Sequence, residues 1–224
     1  MSGQLKYVVD LVYCVDATGS MGGLIEKVKL SALKFHDDLK AKLDEKQKNI
    51  DTLRIRVVAF RDYYCDGSKA MKESPFFTLP AEAEQFKSFV GGIHADGGGD
   101  EPESGLEALA LAIKSDWNTT GDKRRQVIVL FTDASAHPLE AHAGSKPANY
   151  PADMPADFNA MTDLWEGQTM SRPARRLIMF APDATPWADI ATHWEQTLQY
   201  ASKAGDGLAD QDYSTILDAI ANSV

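Results

Sequence analysis

Asp16, Thr18 and Ser20 occupy alternate positions of a short glycine-rich stretch, Asp16-Ala17-Thr18-Gly19-Ser20-Met21-Gly22-Gly23. In extended or looped backbone, alternate residues face one side, so a carboxylate and two hydroxyls are presented together. Hard oxygen donors with no His or Cys among them suit Mg²⁺ first, with Mn²⁺ or Ca²⁺ as alternatives, rather than zinc. Three more aspartates, Asp62, Asp133 and Asp183, follow apolar runs just as Asp16 does. Carboxylates gathered on one rim repel each other unless something cationic sits among them. A metal ion is the economical answer, and Arg61 is placed to supply part of the compensation.

Gathering these residues requires a particular order of elements. Tyr7 to Val15 is a nearly continuous apolar run rich in β-branched and aromatic residues, the pattern of a buried parallel strand. Residues 53–60, 126–131, 176–181 and 197–201 read as further strands, and Pro75 to Leu79 as a short edge strand. Between them lie helical patterns. One carries Ile25, Val28, Ala32, Phe35, Leu39 and Leu43 on a single stripe, and another carries Leu106, Leu109, Ala110 and Ile113. Residues 82–90, 155–166, 186–194 and 213–222 also read as helices. Strands alternating with helices predict an α/β fold: a doubly wound, mostly parallel central sheet with helices on both faces. Ligands bind such sheets beyond the carboxyl ends of the strands, where strand order reverses. Residues 134–156 read as a long loop, a length that points to function or mobility.

The run into Asp16-Ala17-Thr18-Gly19-Ser20-Met21 resembles the metal-ion-dependent adhesion site of von Willebrand factor A domains, whose signature is Asp-x-Ser/Thr-x-Ser. Gly98-Gly99-Asp100 resembles the segment that usually carries a coordinating threonine. Leu130-Phe131-Thr132-Asp133 resembles the strand end that carries the distal aspartate. The resemblance covers almost the whole chain, residues 1–224 as one domain, and implies a Rossmann-like fold with one antiparallel edge strand. It implies a divalent cation held by Asp16, Thr18, Ser20, Asp100 and Asp133. Asp100 departs from the usual threonine, in a manner that resembles the intracellular branch of the family, including domains linked to alpha-type kinases. Three carboxylates in place of two leave the cation less electrophilic, which favours a weak, neutral or water-mediated ligand from a partner.

Plainer roles stand beside these. Asp16 and Asp133 are also suited to strand-end turns. Asp100-x-x-Glu103 resembles a capping box opening the next helix. Arg61, Asp62 and Asp183 read as rim residues or neighbours of ligands, Glu101 as solvated, and His137 as a loop residue near enough to line the site. The four tryptophans read as packing.

A formal charge of −10 argues against nucleic acid or an anionic membrane surface as partner. Two cysteines make neither a disulfide framework nor a zinc site, and the N-terminus lacks a signal-peptide pattern, so the expected compartment is the cytoplasm. The expected function is a non-catalytic scaffold or adaptor that docks a protein partner through a divalent cation. The alternative is a Mg²⁺-dependent aspartyl-phosphate phosphotransferase or phosphatase. Against it, the second aspartate such enzymes carry two residues on is Thr18 here. No Walker phosphate loop or GxGxxG follows a strand.

Overall fold

The computed structural model describes residues 6–26, 35–98, 101–143, 147, 149–209 and 211–224. Among them, seven strands form one sheet: β1 (Tyr7–Asp16), β2 (Thr52–Phe60), β3 (Met71–Glu73), β4 (Phe77–Leu79), β5 (Lys123–Phe131), β6 (Arg175–Pro182) and β7 (Thr197–Ser202). The order is β3-β2-β1-β5-β6-β7, with β4 also on β2. The pairs β1–β2, β1–β5, β5–β6 and β6–β7 are parallel. β3 and β4 run antiparallel to β2, one after the other along its outer side. β4 is the edge strand the sequence indicates. β3 is an addition: Met-Lys-Glu is too short and polar to show a strand period. Ser74 links the two, its N–H donating to the Val57 carbonyl and its Oγ accepting from Val57 N.

Alternation along each strand divides the core in two. Val9, Leu11, Tyr13 and Val15 of β1 join Val127, Val129 and Phe131 of β5 on one face. That face is covered by residues 22–26, α1 (Phe35–Glu45), α2 (Ala83–Gly91) and α6 (Tyr213–Ser223). Val12 and Cys14 of β1 join Ile128 and Leu130 of β5 on the other. There the cover is α3 (Gly105–Ile113), α4 (Phe158–Glu166) and α5 (Trp187–His193). The middle of the helical stripe drawn through Val28 and Ala32 lies outside the described residues.

The long segment after β5 packs rather than dangles. Leu139, Tyr150 and Met154 are buried in the second core, and the Tyr150 hydroxyl donates to the buried Glu107 of α3 at 2.9 Å. This is why α3 is buried on nearly every side, where its sequence shows only one stripe. All four tryptophans are buried.

Asp10, the one charged residue between the ends of β1, is answered across the sheet. Its register partner in β2 is Arg54, whose Nε and Nη2 donate to the two carboxylate oxygens at 2.8 and 2.6 Å. Asn118 N donates to the same carboxylate at 2.7 Å. Asp10→Ala removes the shared acceptor. Breaking a buried pair costs about 3 kcal/mol or more, and the partial solvent access of Arg54 reduces the expected loss to about 2 kcal/mol. Urea unfolding measures it, and a loss below about 0.5 kcal/mol would count against this assignment.

Candidate metal centre

Strand order reverses at β1, whose neighbours β2 and β5 lead away on opposite sides. The crevice belonging to such a reversal opens beyond the ends of β1 and β5. The register sets Val15 opposite Phe131, so Asp16 and Thr132-Asp133 emerge side by side. Asp16 then folds the following turn about itself. Its Oδ1 accepts from Thr18 N at 2.9 Å and Thr18 Oγ1 at 2.6 Å, an Asx-turn. Its Oδ2 accepts from Thr132 Oγ1 at 2.7 Å. Ser20, exposed at the mouth, donates from Oγ to Asp133 Oδ1 at 3.0 Å, and Thr18 Oγ1 lies 3.5 Å from Ser20 Oγ. Asp16, Thr18, Ser20 and Asp133 thus form one connected cluster of oxygens, although more than a hundred residues separate its two halves.

Two further segments close around it. Gly207 N donates to Asp133 Oδ2 at 2.7 Å, and Gly205 N to the Asp133 carbonyl at 2.9 Å. On the other side, residues 94–98 are held by Arg61. Its guanidinium donates to the carbonyls of Ala17, Lys69, His94 and Asp96 and pairs with the Asp96 carboxylate at 2.7 Å. Arg61 therefore holds the loop in place, and the carboxylate it pairs with is that of Asp96. Gly98 must be glycine: its φ is +74°, and a Cβ there would lie 2.8 Å from Thr18 Cγ2 and 2.9 Å from Glu103 Oε1.

Glu103 is the residue sequence reasoning missed. α3 begins at Gly105 with Ser104 at its N-cap, so Glu103 is no capping-box partner. Instead its backbone bridges to the segment after β5, with Glu103 N donating to Ser135 O at 3.0 Å and His137 N to Glu103 O at 2.9 Å. The residue is 4% exposed, with Oε2 buried and unpartnered. Thr132 and the 205–207 backbone were missed as well. For the latter no local signal exists, because only folding brings residue 205 to residue 133.

The rim residues divide. Asp62 is buried, accepts from Tyr64 N at 3.0 Å to cap the single helical turn Tyr63–Asp66, and lies 3.2 Å from His137 Nε2. His137 packs its ring against Tyr64. Glu101 is exposed and lines the cleft, a space of about 460 Å³ walled by Thr18, Ser20, Gly98, Glu103 and Asp133 among others. Asp183 is exposed past β6 and does not line it. Asp100 lies outside the described residues.

Burial raises the Asp16 carboxyl to about 6, with Asp133 adding to the rise against the hydrogen bonds from Thr18 and Thr132. Burial, then the charges of Asp16, Asp62, Asp66 and Asp133, push Glu103 up to about 8. Both shifts mark a pocket that favours positive charge. Among the described residues, no three His, Cys, Asp or Glu side chains are grouped so as to hold a metal by themselves. A cation here would depend on the hydroxyls of Thr18 and Ser20 as well as on Asp16 and Asp133. That all-oxygen donor set, with a buried carboxylate oxygen still unpartnered beside it, fits a hard divalent ion.

Residues 10–143 match the family model described as von Willebrand factor A domain. The chain is 29% identical over 158 residues to the alpha-protein kinase vwkA of Dictyostelium discoideum, covering 70% of this chain and 23% of the kinase. It is 31% identical over 134 residues to a putative ariadne-like RING finger protein, R811, of Acanthamoeba polyphaga mimivirus, covering 58% of this chain and 11% of that protein. The chain thus spans under a quarter of either relative. Two crystal structures of the pilus adhesin SpaC from Lactobacillus rhamnosus GG share the fold. Their TM-scores are 0.56 and 0.52 at 10% and 12% identity, over 98% of this chain and 31% and 30% of the adhesin.

Asp16 and Glu103 bind protons more tightly folded than unfolded, so their ionisation destabilises the native state. For Glu103 that contribution is complete below its ordinary value of 4.5 and lost as pH rises through about 8. Urea unfolding in chelator should therefore show wild type gaining stability from pH 8 to pH 5.5 relative to Glu103→Gln. An identical pH dependence in the two proteins would contradict the shift.

Proposed function

The chain belongs to the von Willebrand factor A domain family, whose members serve in general as protein-interaction modules, and on that basis we propose that it docks a protein partner through a divalent cation at the cluster of Asp16, Thr18, Ser20 and Asp133. One observation carries the reading: the Ser20–Asp133 hydrogen bond at 3.0 Å, which joins the turn after β1 to the end of β5. Asp16, Thr18, Ser20 and Asp133 would hold the ion, with Asp100 at the place where adhesion members carry threonine. The ion would be Mg²⁺, with Mn²⁺ or Ca²⁺ able to replace it. When bound, it supplies positive charge to the buried carboxylates and an open coordination position for a partner's oxygen.

The chain's own residues prepare that position. Asp16 accepts from Thr18 and Thr132, which fixes its carboxyl group and orients the turn. Ser20 is exposed and presents its hydroxyl to the cleft. Backbone donors from Gly205 and Gly207 fix Asp133 from the far side. The acidic surroundings favour a neutral oxygen from the partner over a carboxylate. The reading is of a scaffold or adaptor in the cytoplasm, where the unpaired Cys14 and Cys65 would stay reduced.

The competing phosphotransferase reading requires Asp16 to attack a phosphoryl group. A nucleophile needs an accessible oxygen, whereas Asp16 is wholly buried and its oxygens accept three hydrogen bonds. The acid-base position two residues on is a threonine. These features support the interaction reading.

Titration calorimetry with Mg²⁺ or Mn²⁺ is expected to give one site in wild type and none in Asp16→Ala. Partner capture should be lost both with chelator and in Asp16→Ala. Metal-independent capture, or Mg²⁺-dependent phosphatase turnover abolished by Asp16→Asn, would overturn the proposal.

A further inference from the structure

We propose that the end of the sheet opposite the metal cleft is a second, metal-independent docking surface, where Lys48, Lys123, Arg125 and Arg176 receive the carboxylates of an acidic, extended protein segment and Leu198 meets one of its apolar side chains. The inference goes beyond the metal-docking reading and shares no residue with it.

At that end β5 opens on Lys123-Arg124-Arg125 and β6 on Arg175-Arg176. Register sets Arg125 opposite Val9 and Arg176 opposite Val127. Both valines belong to the core under α6, so both arginines stand on that face of the sheet. Lys123, opposite Tyr7, lies over the Tyr7 ring at 4.3 Å. Lys48 reaches the same corner from the loop before β2. It donates to the carbonyls of Ala221 and Asn222 at 2.8 and 3.4 Å, where a cation suits the C-terminal end of α6. The two arginines have no such task. Arg125 reaches the Arg124 carbonyl and Arg176 those of Pro173 and Arg175, all from their own stretch, and Arg125 Nε is buried with no hydrogen-bond partner.

These cations act on one another. Burial, then the charges of Lys123, Arg125 and Lys46, lowers the Lys48 ammonium, and burial, then Arg125, lowers the Arg176 guanidinium. Among the described residues none of the four pairs with a carboxylate. The nearby Asp51 and Asp122 accept instead from the backbone N–H groups of Tyr7 and Lys6, at 2.6 and 2.8 Å. Gathered like charges are unfavourable in the free protein and become favourable once an anion docks. Beside the arginines, a groove of about 210 Å³ is walled by Arg176, Thr197, Leu198, Asn222 and Ser223. Leu198 is 52% exposed, one of two large apolar side chains so open among the described residues. It lies on β7, the edge of the sheet, whose outer side offers backbone groups to an extended segment. Charge selects the occupant. A membrane or a nucleic acid would bring its phosphates against the rest of a chain of net charge −10, whereas a short acidic segment meets only the four cations.

The test is fluorescence anisotropy of the whole chain with a labelled Glu-rich peptide carrying one Leu, in chelator and at low salt, so that the metal cleft takes no part. Binding should weaken as salt rises, and the counterpart peptide with Gln for every Glu should not bind. The double variant Arg125→Gln/Arg176→Gln should weaken binding about tenfold, and Leu198→Ser about threefold with the salt dependence kept. Circular dichroism reports the fold, and relief of repulsion should leave the double variant melting no lower than wild type. Should that variant not fold, Lys123→Gln at an exposed position carries the same test, with a loss of about threefold expected. Undiminished binding in the folded double variant or in Lys123→Gln would overturn the proposal. So would equal binding of the Gln peptide, no binding of the Glu peptide by wild type, or tighter binding to phosphatidylserine vesicles than to the peptide.

Discussion

Parallel pairing of β1 with β5 brings Asp16 and Asp133 out of the sheet next to one another, and both are removed from water. Two buried carboxylates whose charges push up a third, Glu103, are costly in a medium that solvates charge poorly. The surrounding structure answers with donors: Thr18 and Thr132 for Asp16, Ser20 and Gly207 for Asp133. Those donors are neutral. They orient the oxygens without cancelling their charge, and the raised Asp16 and Glu103 carboxyls are the measure of what remains. A bound cation would remove this residual cost, and metal binding would then also be a stabilising event.

The rest of the fold serves to keep that arrangement rigid. The two cores immobilise the central strands, so their ends have fixed positions. Arg61, on the strand end next to β1, fastens the 94–98 loop to the Ala17 carbonyl and to the turn at Lys69. Residues 205–207, leading to α6, lock Asp133 from the opposite side. A site made of short side chains on rigid supports suits recognition of a partner, where preorganisation lowers the cost of binding.

The fold was largely legible because its strands are long apolar runs and its helices carry one stripe. β3 escaped since three residues, two of them charged, carry no period, and the burial of α3 escaped since Tyr150 and Met154 cover it from a distant segment. Asp16, Thr18, Ser20 and Asp133 were readable from their place at strand ends. Glu103 was not. Its spacing from Asp100 looked like a helix cap, and only the bridge to residues 135–137 shows that it faces the cleft. For Arg61, sequence shows its sign and position but not the four carbonyls it satisfies. Asp183 shares the strand-end pattern of Asp16, yet β6 lies one strand further from the reversal point, and its aspartate faces solvent.

The most direct test of the account is anomalous diffraction from a crystal of the full chain grown or soaked with Mn²⁺. The account predicts a single strong manganese peak in the cleft, within coordination distance of Ser20 Oγ and facing Asp16 and Asp133. Density showing that cleft filled by water alone, with manganese bound elsewhere or nowhere, would contradict it.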